Sequence, residues 1–219
     1  MLRFSQFYLT AGLYWTLCQR MIFLHWEKTM ELLTRCPWSL SGELMTKYHD
    51  EEWGSPVHDD RKLFEFITLD AFQAGLSWSC ILNKRENFRR AFDNFSPELI
   101  ARYDEQKVAS LMEDAGIIRN RAKILATIGN AAAFLRLREQ HGSFSNFIWQ
   151  FTAHKSICNH WQEQAQIPVS SEESDAMSKA LKQAGFKFVG TTICYAFMQA
   201  AGMVNDHIVS CYRHREVSP

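Results

Sequence analysis

Four residues of metal-binding type stand near the two ends of the chain: Cys36 and His49, then His207 and Cys211. His207 and Cys211 are four positions apart, so on a helix they share a face. Two thiols and two imidazoles make the closed tetrahedral set of structural zinc sites. Such a site leaves no open position for substrate and would clip the N-terminal segment to the C-terminal one. Thirteen positions from Cys36 to His49 is not a standard zinc-knuckle spacing. Buried thiols and internally bonded histidines are therefore the plainer alternative.

A second group occupies the run Leu69-Asp70-Ala71-Phe72-Gln73-Ala74-Gly75-Leu76-Ser77-Trp78. It brings a carboxylate, a glutamine, a glycine turn and a tryptophan close together. Asp70 falls late in an apolar helix, where an unpaired charge is costly. Such an acid is either functional or a cap or salt-bridge partner. Trp38, Tyr48 and Trp53 add aromatic groups, and Tyr48-His49-Asp50-Glu51-Glu52-Trp53-Gly54 interleaves them with polar ones. Single aromatics of this kind also serve simply as core.

A third pattern runs from Ser110 to Ile124 and reads as helix, tight turn, helix. Gly116 can supply the positive φ that a hairpin needs. Backbone N–H groups at the start of the second helix can hold a phosphate. Arg119, Arg121 and Lys123 follow at once, and Lys84, Arg85, Arg89 and Arg90 form a second basic cluster. An ordinary αα-turn with a solvated basic helix fits the same pattern.

The elements that must position these groups are helical. Leu63, Phe64, Phe66, Ile67, Leu69 and Phe72 repeat at helical spacing over residues 61–73, with Asp59 or Asp60 as a natural N-cap. Further helices are expected over residues 78–92, 108–112, 121–138, 144–151, 174–183 and 192–201. Ser96-Pro97-Glu98 is a helix start with proline at the first position. No stretch alternates in strand fashion for long, and residues 154–171 read as a long irregular surface loop. The predicted fold is all-α, with two helical lobes and a cleft between them.

Composition sets limits. The 219 residues suit one domain, or one with a small companion. Lys plus Arg equals Asp plus Glu at 24 each, which excludes polyanion binding through bulk charge alone. The six cysteines form no CxxC pair, a pattern of a reducing compartment. Residues 1–29 read differently, with no charge between Arg3 and Arg20. They are expected to be a dispensable extension or an upstream start ahead of Met30. A targeting segment and a true helix are the alternatives. Residues 30–219 would then be the functional domain.

The pieces occur in one order: Cys36-Pro37-Trp38, Tyr48-His49-Asp50-Glu51-Glu52-Trp53-Gly54, Gln73-Ala74-Gly75-Leu76-Ser77-Trp78, Lys84-Arg85-Glu86-Asn87, Asp114-Ala115-Gly116-Ile117-Ile118-Arg119, Gly185-Phe186-Lys187-Phe188-Val189-Gly190-Thr191-Thr192 and Asn205-Asp206-His207. In this the chain closely resembles the DNA-3-methyladenine glycosylase I family, from about Arg35 to Cys211. The resemblance implies a helix-hairpin-helix glycosylase fold and base-excision repair of alkylated DNA. The implied reaction is hydrolysis of the N-glycosidic bond of 3-methyladenine, without a lyase step. It also implies a structural zinc on Cys36, His49, His207 and Cys211. The implied base pocket falls on Trp38, Tyr48, Asp70 and Trp78, with Trp53 and Gln73 beside them; Asp70 and Tyr48 are the catalytic candidates. Gly75 and Leu76 fall where the family probes the duplex, and Gly116, Ile117, Arg119, Arg121 and Lys123 where it grips DNA. The family usually has Glu where this chain has Asp70, one methylene shorter. Double-stranded alkylated DNA is the expected partner, with a monomeric cytoplasmic enzyme and no membrane. The competing readings are a DNA-binding module without catalysis and a zinc hydrolase, which would need an open metal position.

Overall fold

The computed structural model describes residues 33–218, so the expected extension over residues 1–29 lies outside them. From Cys36 onward the chain is one unit. A 3₁₀ turn, Pro37–Ser41, leads into α1 (Glu43–Glu51), α2 (Asp60–Gln73) and α3 (Trp78–Ala91). The short α4 (Pro97–Ile100) precedes α5 (Glu105–Glu113) and the long α6 (Arg121–His141). Then come α7 (Phe144–Trp149), α8 (Glu172–Gln183), α9 (Thr191–Ala200) and α10 (Tyr212–Glu216).

The axis of this arrangement is α2. Every residue from Leu63 to Phe72 is buried, not just one face. A helix covered on all sides lies inside the protein. Neighbours α3, α6, α7 and α9 pack around it. This is why an acid at position 70 is buried. The helix starts where the sequence puts it, with the Asp59 side chain accepting the Lys62 N–H at 2.8 Å. Ser77, Asp104, Asn120 and Ser143 cap the starts of α3, α5, α6 and α7 in the same way.

Two expectations change. A short parallel pair joins β1 (Ile157–Cys158), inside the run read as loop, to β2 (Val204–Asn205). Two residues per strand are too few to show alternation in sequence. His207 and Cys211 do not share a helix, either. They follow β2 in a turn, and Cys211 is the N-cap residue of α10. The turn closes through the Cys211 N–H, which donates to the Ile208 carbonyl at 2.8 Å.

The described apolar interior has two clusters. The larger surrounds α2. The smaller gathers Cys36, Tyr48, Trp53, Leu82, Ile208 and Cys211, and Trp78 packs against both.

Candidate functional site

Between these clusters lies a cavity of about 430 Å³. That size suits a small flat ligand. Trp38, Tyr48, Trp53, Asp70, Gln73 and Trp78 all line it, so the structure brings together all six residues expected at one pocket. The aromatic wall is continuous. Tyr48 and Trp78 have ring centroids 5.2 Å apart, and Trp38 meets Trp53 edge-on at 5.0 Å.

Two polar atoms in this wall find no hydrogen-bond partner among the described residues: Asp70 Oδ2 and Trp78 Nε1. Both are buried, one an acceptor and one a donor. Unsatisfied buried polar groups are rare and costly, so a pair of them beside a cavity marks a place prepared for a polar ligand. Burial pushes the Asp70 carboxyl well above its ordinary value, while the Arg85 charge pulls it down. Burial, and then the Asp70 charge, raise the Tyr48 phenol likewise, so it stays a hydrogen-bond donor.

Arg85 belongs to an ion-pair network beneath the pocket, not to a basic DNA face. Its guanidinium donates to Glu65 at 2.7 Å and to both oxygens of Glu52 at 2.7 and 2.8 Å. Burial works against the Glu52 charge, but Arg85 and Lys62 outweigh it and hold that carboxyl down at about 2. Arg89 reaches the same Glu65 and Glu86, and Arg90 bonds Asn87. Lys84 and Asn87 instead donate to the carbonyls of the hairpin turn, Lys84 to Ala115 at 2.9 Å and Asn87 to Gly116 at 3.1 Å. The cluster Lys84-Arg85-Glu86-Asn87 is thus largely structural.

The hairpin itself joins α5 to α6 as the sequence indicates, but Gly116 does not adopt positive φ. Its role is close approach. A Cβ there would stand 2.8 Å from Asp114 Oδ1 and 3.1 Å from Asn87. Its N–H is taken by Asp114 Oδ1 at 2.7 Å, and Ile117 is buried. Lys123 is also a correction. It is only 7% exposed, and its ammonium donates to the carbonyls of Phe72 at 2.8 Å and Ala74 at 2.7 Å. It caps the end of α2 and fixes the turn that follows. In that turn Gly75 has φ +82, and Leu76 projects with 40% exposure. Arg119 is exposed, and Arg121 pairs with Glu105 on the surface at 2.6 Å.

Behind the aromatic wall, Cys36, His49, His207 and Cys211 converge, all buried, with ligand atoms within 4.8 Å of one another. His207 Nδ1 is 3.2 Å from His49 Nε2 and 3.6 Å from each sulfur; Cys211 Sγ is 3.4 Å from His49 Nε2. A tetrahedral zinc with ordinary Zn–N and Zn–S bonds has edges of roughly 3.3–3.6 Å between these atom types. The donor set and spacing therefore fit a metal ion. The other ring nitrogens are also fixed. His49 Nδ1 meets Asp50 at 2.8 Å, and His207 Nε2 meets the Trp53 carbonyl at 3.1 Å. Such outer contacts orient metal-binding histidines. The Cys211 thiol is held far below its usual range, chiefly by a hydrogen bond from Cys36, whose own thiol is pushed up. The cluster also carries the pocket: Trp53 packs against His207 at 4.6 Å, and Trp38 against His49 at 5.4 Å.

Sequence reading missed the opposite wall. Gln164, Ile167, Pro168 and Val169 from the irregular run, and Thr192, Tyr195 and Gln199 from α9, also line the cavity. Asp206 holds Tyr195 and Gln199 by hydrogen bonds of 2.8 Å each. The available signals were Pro168 in a polar segment and the run Gly190-Thr191-Thr192.

The model of the methyladenine glycosylase family matches residues 38–214. The chain is 51% identical over 179 residues to DNA-3-methyladenine glycosylase 1 of Escherichia coli (strain K12), covering 82% of this chain and 96% of that protein. A crystal structure of 3-methyladenine DNA glycosylase I is 50% identical and matches with a TM-score of 0.79, covering 82% and 98% of the two chains. A variant of 3-methyladenine DNA glycosylase I in complex with 3-methyladenine is 32% identical, with a TM-score of 0.79 over 81% and 96%.

Proposed function

The chain belongs to the methyladenine glycosylase family, and we propose that it excises 3-methyladenine from alkylated duplex DNA by hydrolysing the N-glycosidic bond. The observation that carries this is the pair of unbonded buried atoms, Asp70 Oδ2 and Trp78 Nε1, in an aromatic cavity of about 430 Å³.

A base inside a duplex must leave the stack before its bond to the sugar can be cleaved. In this reading Leu76, exposed in the turn between α2 and α3, fills the space it vacates. The methylated adenine is a cation in DNA, and the faces of Trp38, Tyr48 and Trp78 attract it by stacking and cation–π contact. Asp70 accepts a hydrogen bond from the base edge, and the cation favours its ionised form. Asp70 is shorter than the family's usual Glu, so a bridging water or a small backbone shift completes that contact. The positive base is already a good leaving group. Contacts that strengthen as the sugar becomes oxocarbenium-like supply the remaining stabilisation. Water is the nucleophile. No lysine is among the described residues lining the cavity, which supports hydrolysis without a lyase step.

The two apolar clusters, the cavity between them and the α5–α6 hairpin support a helix-hairpin-helix glycosylase architecture. We assign a structural zinc to Cys36, His49, His207 and Cys211, where it would stiffen the wall that carries Trp38 and Trp53. Four protein ligands leave it no open position, so it takes no part in bond cleavage. Among the described residues no helix is long and apolar enough to cross a membrane.

The test is incubation of the purified chain with methylated duplex DNA, followed by chromatography of the released bases. Free 3-methyladenine is the expected product; its absence overturns the proposal.

A further inference from the structure

Cys158, His160 and His214 form a second group of metal-ligating atoms, again within 4.8 Å of one another. None of them lines the base pocket or belongs to the Cys36 cluster. Cys158 ends β1, and His160 follows two positions later, the spacing that puts both on one side of an extended chain. His214 arrives from α10. Its Nε2 is 3.9 Å from Cys158 Sγ, and its ring centroid is 5.4 Å from that of His160. The Asn205 side-chain amide donates to the same sulfur at 3.7 Å. Burial is graded: His214 is buried, Cys158 half-buried and His160 exposed. The group therefore opens to solvent on the His160 side.

We propose that Cys158, His160 and His214 constitute a second metal site, independent of the Cys36 cluster, which takes a thiophilic divalent ion such as zinc or cobalt(II). One thiolate with two imidazoles suits borderline first-row ions. Magnesium and calcium, which require oxygen ligands, do not fit this donor set. Three protein ligands leave a fourth position for water.

The geometry also ranks the two sites. The Sγ–Nε2 separation of 3.9 Å is wider than the roughly 3.6 Å edge of a tetrahedral zinc site, so the ligands must close in slightly. His214 Nε2 also sits 2.8 Å from the Asn159 carbonyl, a hydrogen bond that the ring surrenders to take an ion. His160 must be drawn in from solvent. The second site is therefore weaker than the buried four-ligand cluster. An ion here would tie the end of β1 to α10. It would act on stability through preferential binding to the native state, and not on the chemistry of the base.

The experiment uses the full chain as purified. Cobalt(II) is titrated while thiolate-to-cobalt absorption is followed, and bound metal is counted by elemental analysis. The wild type is expected to take up one equivalent more than Cys158→Ser. His160→Ala, which alters only an exposed ring, should weaken uptake of that extra equivalent at least tenfold. Its melting temperature without added metal and its rate of base release should match the wild type. Equal uptake by the wild type and both variants overturns the proposal.

Discussion

Asp70 and Asp206 are both buried, at 2% and 0% exposure, but they meet opposite surroundings. Four donors converge on Asp206: Asn159 at 2.7 Å, and Trp161, Tyr195 and Gln199 at 2.8 Å each. Asp70 leaves Oδ2 with no partner among the described residues. The tryptophans repeat the contrast. Trp161 gives its indole N–H to Asp206, whereas Trp78 Nε1 is unbonded. Burying a charge is tolerable when it is fully hydrogen-bonded and costly when it is not. Asp206 is finished by the fold. Asp70 is not, and under the proposed function the fold carries its cost until a base arrives.

Replacement of Asp206 should show the largest effect. Asp206→Ala strands four donors at once, that of Tyr195 buried and the other three on half-buried residues, and is expected to destabilise the chain by about 3 kcal/mol, read from denaturant unfolding. It should also loosen Tyr195 and Gln199, which line the cavity. A loss below about 1 kcal/mol would mean that Asp206 is not the finished partner the contrast requires.

Asp70→Asn should do the reverse, harming activity and sparing the fold. Release of 3-methyladenine is expected to fall at least about tenfold, the worth of one charged hydrogen bond. The native acid holds its proton above the ordinary range near 3.8, while the unfolded acid has lost it. The native state then binds more protons, so this group's contribution to stability falls as pH rises from about that value through its raised native one. The variant should accordingly gain stability over the wild type across that rise. Unfolding of both proteins at several pH values checks it; a variant that loses stability relative to the wild type with rising pH would place Asp70 among the satisfied acids.

The sequence marked Asp70 as an acid in an apolar helix, whereas Asp206 stood only within the run Asn205-Asp206-His207. It could not show which one would lack partners, because Asn159, Trp161, Tyr195 and Gln199 reach Asp206 only through the tertiary fold. The same limit explains the basic clusters. Arg85 and Lys123 look like DNA-facing charge in a list of residues, yet Glu65, Glu52 and the end of α2 consume them. Charge counts carry sign but not burial. The cap at Asp59 and the extent of α2 were legible because they depend on local chemistry, Asp59 acting within three positions of itself. The metal-type cluster was legible in its residues but not in its means. A turn, not a helix, brings His207 and Cys211 together. The wall formed by residues 164–169 left only a faint trace, since irregular backbone has no period to read.

Trp78→Phe sharpens the contrast on the donor side. It keeps an aromatic face and removes the unbonded N–H together with the fused five-membered ring. Affinity for free 3-methyladenine should fall about fivefold, the net value of one neutral hydrogen bond. The loss of stability should stay small, because removal of an unsatisfied buried donor offsets part of the packing lost with the smaller ring. Calorimetric titration and thermal unfolding of the same preparation check both halves. Unchanged affinity would mean that Trp78 contributes its ring and not its indole nitrogen.

The smallest expected effect belongs to Leu76, an apolar side chain that also awaits a partner. Complete burial of a leucine is worth about 2 kcal/mol. Leu76 is already more than half covered, with 40% of its surface exposed. Filling the gap left by a flipped base can therefore recover no more than about 0.8 kcal/mol, so Leu76→Ala should slow release from duplex DNA by no more than about fourfold. Release from single-stranded DNA, where no gap opens, should be unchanged, as should affinity for the free base. Parallel assays on the two substrates separate this from damage to the pocket. An equal loss on both would place Leu76 with Asp70 as part of the pocket, and not with the surface that enters the duplex.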